Sequence, residues 1–229
     1  MTAGVWILGN QLWQEQAALA SCQDRKSEIP ILLIEAQQFA RERPYHRQKL
    51  VLVWSAMRHF SQELKDAGWS VTYAIADDIK SSLVMWIQDH DLDELMVMDP
   101  VDRPFITWLK GLDLPCKLTF VDNNHFLWSE VDFNDWAQSR KSLLMESFYR
   151  EGRKRFDVLM EGKEPVGGQW NYDRENRKPP KGKLNTPSPC WFEPDAVTQS
   201  VIERVKGLEI PTFGEATPFR WAVTREQAL

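Results

Sequence analysis

Short apolar runs punctuate the first part of the chain at residues 4–8, 29–34, 71–75, 94–98 and 117–121. Near-continuous runs of this length suit strands buried on both faces. The segments between them carry a helical period. From residue 46 to 64 the apolar positions Leu50, Val53, Trp54, Met57, Phe60 and Leu64 advance by three or four, and Ala67-Gly68 supplies a stop. Residues 81–88 and 105–109 make shorter helices of the same kind. Strands alternating with helical connections predict an α/β fold, a Rossmann-like, doubly wound, five-stranded parallel sheet.

Beyond Asn123 the pattern changes. Residues 133–138 and 141–161 read as helices, the second with Leu144, Phe148, Gly152, Phe156 and Leu159 on one stripe. No period survives from 162 to 194, which suits a functional loop or an interdomain linker. Residues 195–206 make one more short helix. Thr224, with Gln227 three residues later, resembles a helix start. The expected organisation is an α/β domain over 1–125 and a helical and irregular connector over 126–229, with the chain a fragment or one half of a larger architecture.

The chain has 229 residues, 43% hydrophobic and 27% charged, the balance of a soluble globular protein. No stretch approaches the roughly 20 apolar residues that span a bilayer, so no membrane partner is expected. Cys22, Cys116 and Cys190 are too few and too scattered for a disulfide framework or a thiolate-bound metal. A cytoplasmic location is the default. The formal net charge of -5 hides an asymmetry. Residues 140–183 hold twelve Lys and Arg against seven Asp and Glu, which leaves 16 against 26 elsewhere. A basic segment on an acidic protein changes its encounters with polyanions.

Open parallel sheets bind ligands beyond the carboxyl ends of their strands, where strand order reverses. Gly9, Asn10 and Gln11 leave the first strand, and Glu35 leaves the second. Gly9 allows close backbone approach, and the other three offer hydrogen bonds to a polar heterocycle or ribose. The plainer alternative makes Gly9-Asn10 a turn and Glu35 a helix cap. No Gly-x-Gly-x-x-Gly motif or phosphate loop occurs, and His46, His59, His90 and His125 lack zinc-protease spacing. The pairs His46/Lys49 and Arg58/Gln62 each share a helix face and suit solvated surface. Arg150, Arg153 and Lys154 lie mostly opposite the apolar stripe, beside Tyr149, and the loop adds Trp170, Tyr172, Arg174, Arg177 and Lys178. Basic residues interleaved with aromatics suit a phosphate backbone with stacked bases, and equally a solvated helix face with a basic linker. Of 11 Trp, those at 54, 86 and 108 fall on apolar helix faces as core residues.

Several blocks resemble one family in its own order: Leu8-Gly9-Asn10-Gln11-Leu12, Leu32-Leu33-Ile34-Glu35-Ala36, Tyr45-His46-Arg47-Gln48-Lys49 and Ser55-Ala56-Met57-Arg58-His59-Phe60. Further on come Phe148-Tyr149-Arg150, Arg153-Lys154-Arg155, and Pro165-Val166-Gly167-Gly168-Gln169-Trp170-Asn171-Tyr172-Asp173 with Glu175-Asn176-Arg177-Lys178. These are similar to the deoxyribodipyrimidine photolyase-related proteins, the prokaryotic iron–sulfur branch of the photolyase/cryptochrome superfamily. The resemblance implies an N-terminal antenna-type domain for a ribityllumazine, held by Gly9, Asn10, Gln11 and Glu35. It also implies a C-terminal helical domain, outside this chain, that binds FAD and a [4Fe-4S] cluster. Damaged DNA is the implied partner, with Arg150, Arg153, Lys154, Arg177 and Lys178 on its phosphates, and light-dependent lesion repair by a lyase is the implied activity. A cryptochrome-type light sensor shares all of these residues, and a standalone nucleotide-binding α/β domain is the rival from another class. The family usually has Asp where this chain has Asn10, which removes a charge and adds an amide donor.

Overall fold

The computed structural model describes residues 2–177, 179, 181, 182 and 184–229. Strands β1 (Ala3–Ile7), β2 (Pro30–Ala36), β3 (Ser70–Ala76), β4 (Glu94–Met98) and β5 (Lys117–Val121) form one sheet in the order β3-β2-β1-β4-β5. Every pairing in it is parallel, with Val5 opposite Ile31 on one side and Met96 on the other. The doubly wound sheet expected from the apolar runs is therefore present, and each strand starts and stops within two residues of its run.

Alternation along the strands sends side chains to two faces. Val5, Ile7, Ile31 and Leu33 join Trp54, Met57, Phe60 and Leu64 of α2 (Arg47–Asp66) on one face. Trp6, Leu8, Leu32 and Ile34 join Leu83, Trp86 and Ile87 of α3 (Ile79–Asp89) and Leu109 of α4 (Arg103–Lys110) on the other. The short α1 (Gln38–Glu42) follows β2. Helix starts follow ordinary capping chemistry: Asp78 accepts from the Ser81 amide at 2.8 Å and Asp102 from that of Phe105 at 2.8 Å. Thr224 caps the last short turn, its hydroxyl accepting from the Gln227 amide at 3.2 Å.

The chain resolves into two compact units, residues 1–124 with 190–229, and residues 125–189. The expected division put everything after 125 into one connector. The last forty residues instead belong with the sheet, because α7 (Ala196–Lys206) has an apolar face, Val201, Ile202 and Val205, that is buried in the same core as α2.

The second unit contains α5 (Glu130–Gln138) and α6 (Met145–Phe156). Trp128, Phe133, Trp136, Phe148 and Phe156 make its aromatic interior, with centroids 4.9 to 5.9 Å apart. The helix expected over 141–161 is shorter at both ends. It starts after Leu144, its extended N-cap, and ends where Asp157 turns left-handed (φ 53), with Leu159 left-handed just beyond (φ 53), so Leu144 and Leu159 lie off the helix and exposed. A two-residue antiparallel pair, Met160–Glu161 with Glu164–Pro165, and a turn of helix, Asp173–Asn176, break up the segment expected to be irregular.

Candidate functional site

Strand order reverses between β1 and β4, which places the exit of β1 at the switch point of the sheet. Gln11 spans that point. Its amide nitrogen donates to the Met98 carbonyl at 2.8 Å and its backbone N–H to Leu8 at 2.9 Å. The residue is 2% exposed, and among the described residues its Oε1 has no hydrogen-bond partner. Such an acceptor, buried and unused, costs free energy until a donor reaches it. Asn10 next to it is exposed and Gly9 half-buried. A Cβ at Gly9 would lie 2.9 Å from Met57 Sδ and 3.5 Å from Val53 Cγ1, so glycine is what lets this turn lie against α2. Gly9, Asn10 and Gln11 thus stand together at the edge, as three successive residues should.

Glu35 does not join them as a free ligand. Its side chain is wholly buried near the end of β2 and is surrounded by donors. Arg58 Nε and Nη2 donate to its two oxygens at 2.9 and 3.1 Å, and the Tyr73 hydroxyl donates at 2.8 Å. Arg204 Nε lies 2.7 Å from Oε1, close enough for an ion pair but out of line for a hydrogen bond. Burial first, and then the Glu35 charge, push the Tyr73 hydroxyl far above its ordinary pKa, so it stays a donor. Burial works against the Arg58 charge, yet the Glu35 hydrogen bonds and charge outweigh it and raise its pKa. Glu35 has a structural role: it ties β2, β3, α2 and α7 together. Arg58, expected on a solvated face beside Gln62, is the main partner. The missed signal is a carboxylate at the end of an apolar strand, which demands a buried counter-charge somewhere.

In the other unit, Arg150, Arg153 and Lys154 are three and four residues apart on α6 and share a face. Their cationic groups lie 5.2, 5.5 and 5.4 Å from the Trp170 ring centroid. Arg150 also pairs with Glu146 at 2.8 Å, one turn back, and both it and Lys154 are exposed. Arg153 departs from the expectation. It is 7% exposed, and its guanidinium donates to the carbonyls of Val158 at 3.1 Å, Leu159, and Trp170 at 3.3 Å, and to the Tyr149 hydroxyl at 3.1 Å. With its donors spent on the backbone past the helix end, it fixes that turn and does not face a phosphate. Arg177 is exposed just after the Asp173–Asn176 turn. Lys178 lies outside the described residues.

The fold defines a class, a Rossmann-like α/β protein, and the second unit carries a cationic, aromatic surface. The family model for deoxyribodipyrimidine photo-lyase-related protein matches residues 5–221, and the chain belongs to that family. It is 36% identical, over 236 residues and 100% of its own length, to a (6-4) photolyase from Agrobacterium fabrum (strain C58 / ATCC 33970). It spans 46% of that photolyase. It is also 27% identical over 143 residues, 59% of this chain and 73% of the relative, to the uncharacterized protein R852 of Acanthamoeba polyphaga mimivirus. Among the described residues no helix is long and apolar enough to cross a membrane.

Proposed function

We propose that this chain is the antenna-type part, with an attached DNA-contacting segment, of a photolyase-related flavoprotein that repairs DNA lesions in light. Family membership supports the class, and the relative described as a (6-4) photolyase supports lesion repair as the reaction. The observation that carries the antenna assignment is the Gly9–Gln11 turn. A buried acceptor without a donor among the described residues and an exposed amide stand together, on a turn that Gly9 lets lie against α2, at the place where open sheets take ligands.

A ribityllumazine would be held there by the Gly9 and Asn10 backbone edge, the Asn10 side chain and Gln11 Oε1. When bound it absorbs light and passes the excitation to a flavin. Asn10 fits an uncharged heterocycle as both donor and acceptor. Glu35 contributes through the position of β2 alone. FAD and a [4Fe-4S] cluster belong to a helical domain outside this chain, which is also its intramolecular partner.

For DNA, Arg150 and Lys154 are the phosphate-contacting pair, with the Trp170 ring beside both as a stacking surface and the exposed Arg177 as a further cation; Lys178 is assigned from the sequence alone. Arg153 acts behind them by holding the Trp170 backbone. Extrusion of the damaged nucleotide from the duplex would account for a need for an aromatic surface beside the phosphates.

The deciding experiment mixes the purified chain with 6,7-dimethyl-8-ribityllumazine and follows pigment fluorescence anisotropy. Saturable binding that Gly9→Val abolishes and Arg150→Ala leaves alone is expected. Absence of binding to a folded chain sinks the antenna assignment.

A further inference from the structure

A cavity of about 640 Å³ opens on the same compact unit as the sheet but on different residues from the Gly9–Gln11 turn. Gln37 lines it from the N-cap of α1 and Arg41 from the last turn of that helix, Arg58 from α2, and Arg204 with the turn at 207–210 from the end of α7. We propose that it binds the oxyanion, phosphate or carboxylate, of a small metabolite, gripped by Arg204 with Arg41 and Gln37.

The charge balance is the first argument. Arg58 and Arg204 both pair with Glu35, so one positive charge on this wall is not compensated by it. The donor inventory is the second. Every nitrogen of Arg58 already has an acceptor, since Nε and Nη2 serve Glu35 and Nη1 donates to Ser200 Oγ at 3.0 Å, although each terminal nitrogen keeps a second N–H. Arg204 meets Glu35 through Nε at 2.7 Å. Among the described residues its two terminal nitrogens have no acceptor, although its side chain is only 27% exposed. The guanidinium is also positioned, with its carbon 5.7 Å from the Trp54 ring centroid. A half-buried guanidinium fork that is held in place, faces a cavity and lacks an acceptor is matched by a carboxylate or phosphate taking two parallel hydrogen bonds.

Opposite it, Arg41 uses one terminal nitrogen, on Asp77 at 3.0 Å and on Gln37 Oε1 at 3.5 Å. That contact turns the Gln37 carbonyl toward Arg41 and leaves its amide nitrogen as a further donor. The acids of the cavity set the limit on the ligand. Glu203 is engaged by Lys206 at 2.9 Å and Gln199 at 3.2 Å, and Glu209 is exposed. Their negative charge disfavours a polyanion such as duplex DNA, so the ligand carries one or two charges on a single head. The proposal does not depend on the light-dependent reading and involves none of the pigment or DNA residues.

The test titrates the whole chain with inorganic phosphate, AMP and citrate, by isothermal calorimetry at low ionic strength, against potassium chloride at matched ionic strength. Saturable one-to-one binding of at least one of the three is expected. Arg204→Gln should weaken it about tenfold or more, as for loss of a charge-assisted hydrogen bond. Phosphate alone sufficing identifies the phosphate head, AMP alone a phosphate ester, and citrate alone a carboxylate. Arg41→Ala and Glu209→Gln sit on the exposed side and are the fallback if Arg204→Gln does not fold; the first should weaken binding and the second tighten it. Binding no better than chloride for all three, or affinity unmoved by Arg204→Gln in a folded protein, or by both fallback variants, overturns the proposal.

Discussion

Replacing Glu35 by Gln keeps the volume and shape of the side chain and removes its charge. In the native protein that carboxylate is fully buried and has Arg58, Arg204 and Tyr73 around it. After the change, two guanidinium groups share one site without a counter-charge, and the new amide turns donor hydrogens toward donors. Breaking a buried ion pair by deleting one partner costs about 3–5 kcal/mol. The Arg58 and Arg204 side chains keep 19% and 27% exposure, so water recovers part of their solvation and the lower end applies. A loss of roughly 3 kcal/mol corresponds to about 6–12 °C in Tm for a domain of this size. Urea unfolding followed by Trp fluorescence, with thermal circular dichroism beside it, measures the change. A loss below about 1 kcal/mol would refute the view of Glu35 as the tie between four elements. Selective loss of pigment with an unchanged Tm would return Glu35 to the antenna edge.

Gly9→Ala should cost about 1 kcal/mol, the low end of overpacking, because the new methyl meets the flexible end of Met57; hydrogen exchange of the 8–12 segment checks it, and no change at all would mean that Met57 moves freely. Arg153→Met keeps the stem and removes every donor, so amide protection over 157–170 should fall while α6 persists; uniform loss across the whole 125–189 unit would contradict the local role. Arg150→Ala with Lys154→Ala should lower the slope of log affinity against log salt on single-stranded DNA by about 1.4, roughly 0.7 per phosphate contact, and an unchanged slope counts against the contact. The Thr119 hydroxyl and then Lys117 hold the Glu94 carboxyl below its usual range. For Asp195, burial opposes the charge, but the Thr198 bonds and His59 overcome it. Their stabilisation is therefore complete above the ordinary carboxylate range and is lost as pH falls through the depressed values. Thr119→Val should reduce the acid-side slope of stability, and an identical slope would argue against this cause.

The strands were legible because a sheet covered on both faces writes each strand as an unbroken apolar run, as in Val5 to Leu8 or Ile31 to Ile34. The Leu50–Leu64 stripe was equally plain, and so was the Thr224 cap, since caps depend on residues three apart. Glu35 defeated the reading for the opposite reason. Its partners are 23 and 38 residues onward, with Arg204 later still, and no local pattern registers such distances. Arg153 was grouped with Arg150 and Lys154 because the three do share a helix face. What separates them is the left-handed turn at Asp157, which brings the carbonyls of Val158 and Leu159 back within reach of Arg153 alone. Asp can take that backbone conformation more readily than most residues, but nothing in the surrounding sequence requires it.

The return of residues 190–229 to the sheet makes residues 125–189 a compact unit inserted within the sequence of the other. A chain cut after the fifth strand would expose the apolar face of α2 that Val201, Ile202 and Val205 cover, and would strip Arg204 from Glu35. A chain with the insert excised and its ends rejoined would keep both. Residues 125–189 can therefore change in length and sequence without disturbing the ties that α7 makes to α2 and to Glu35.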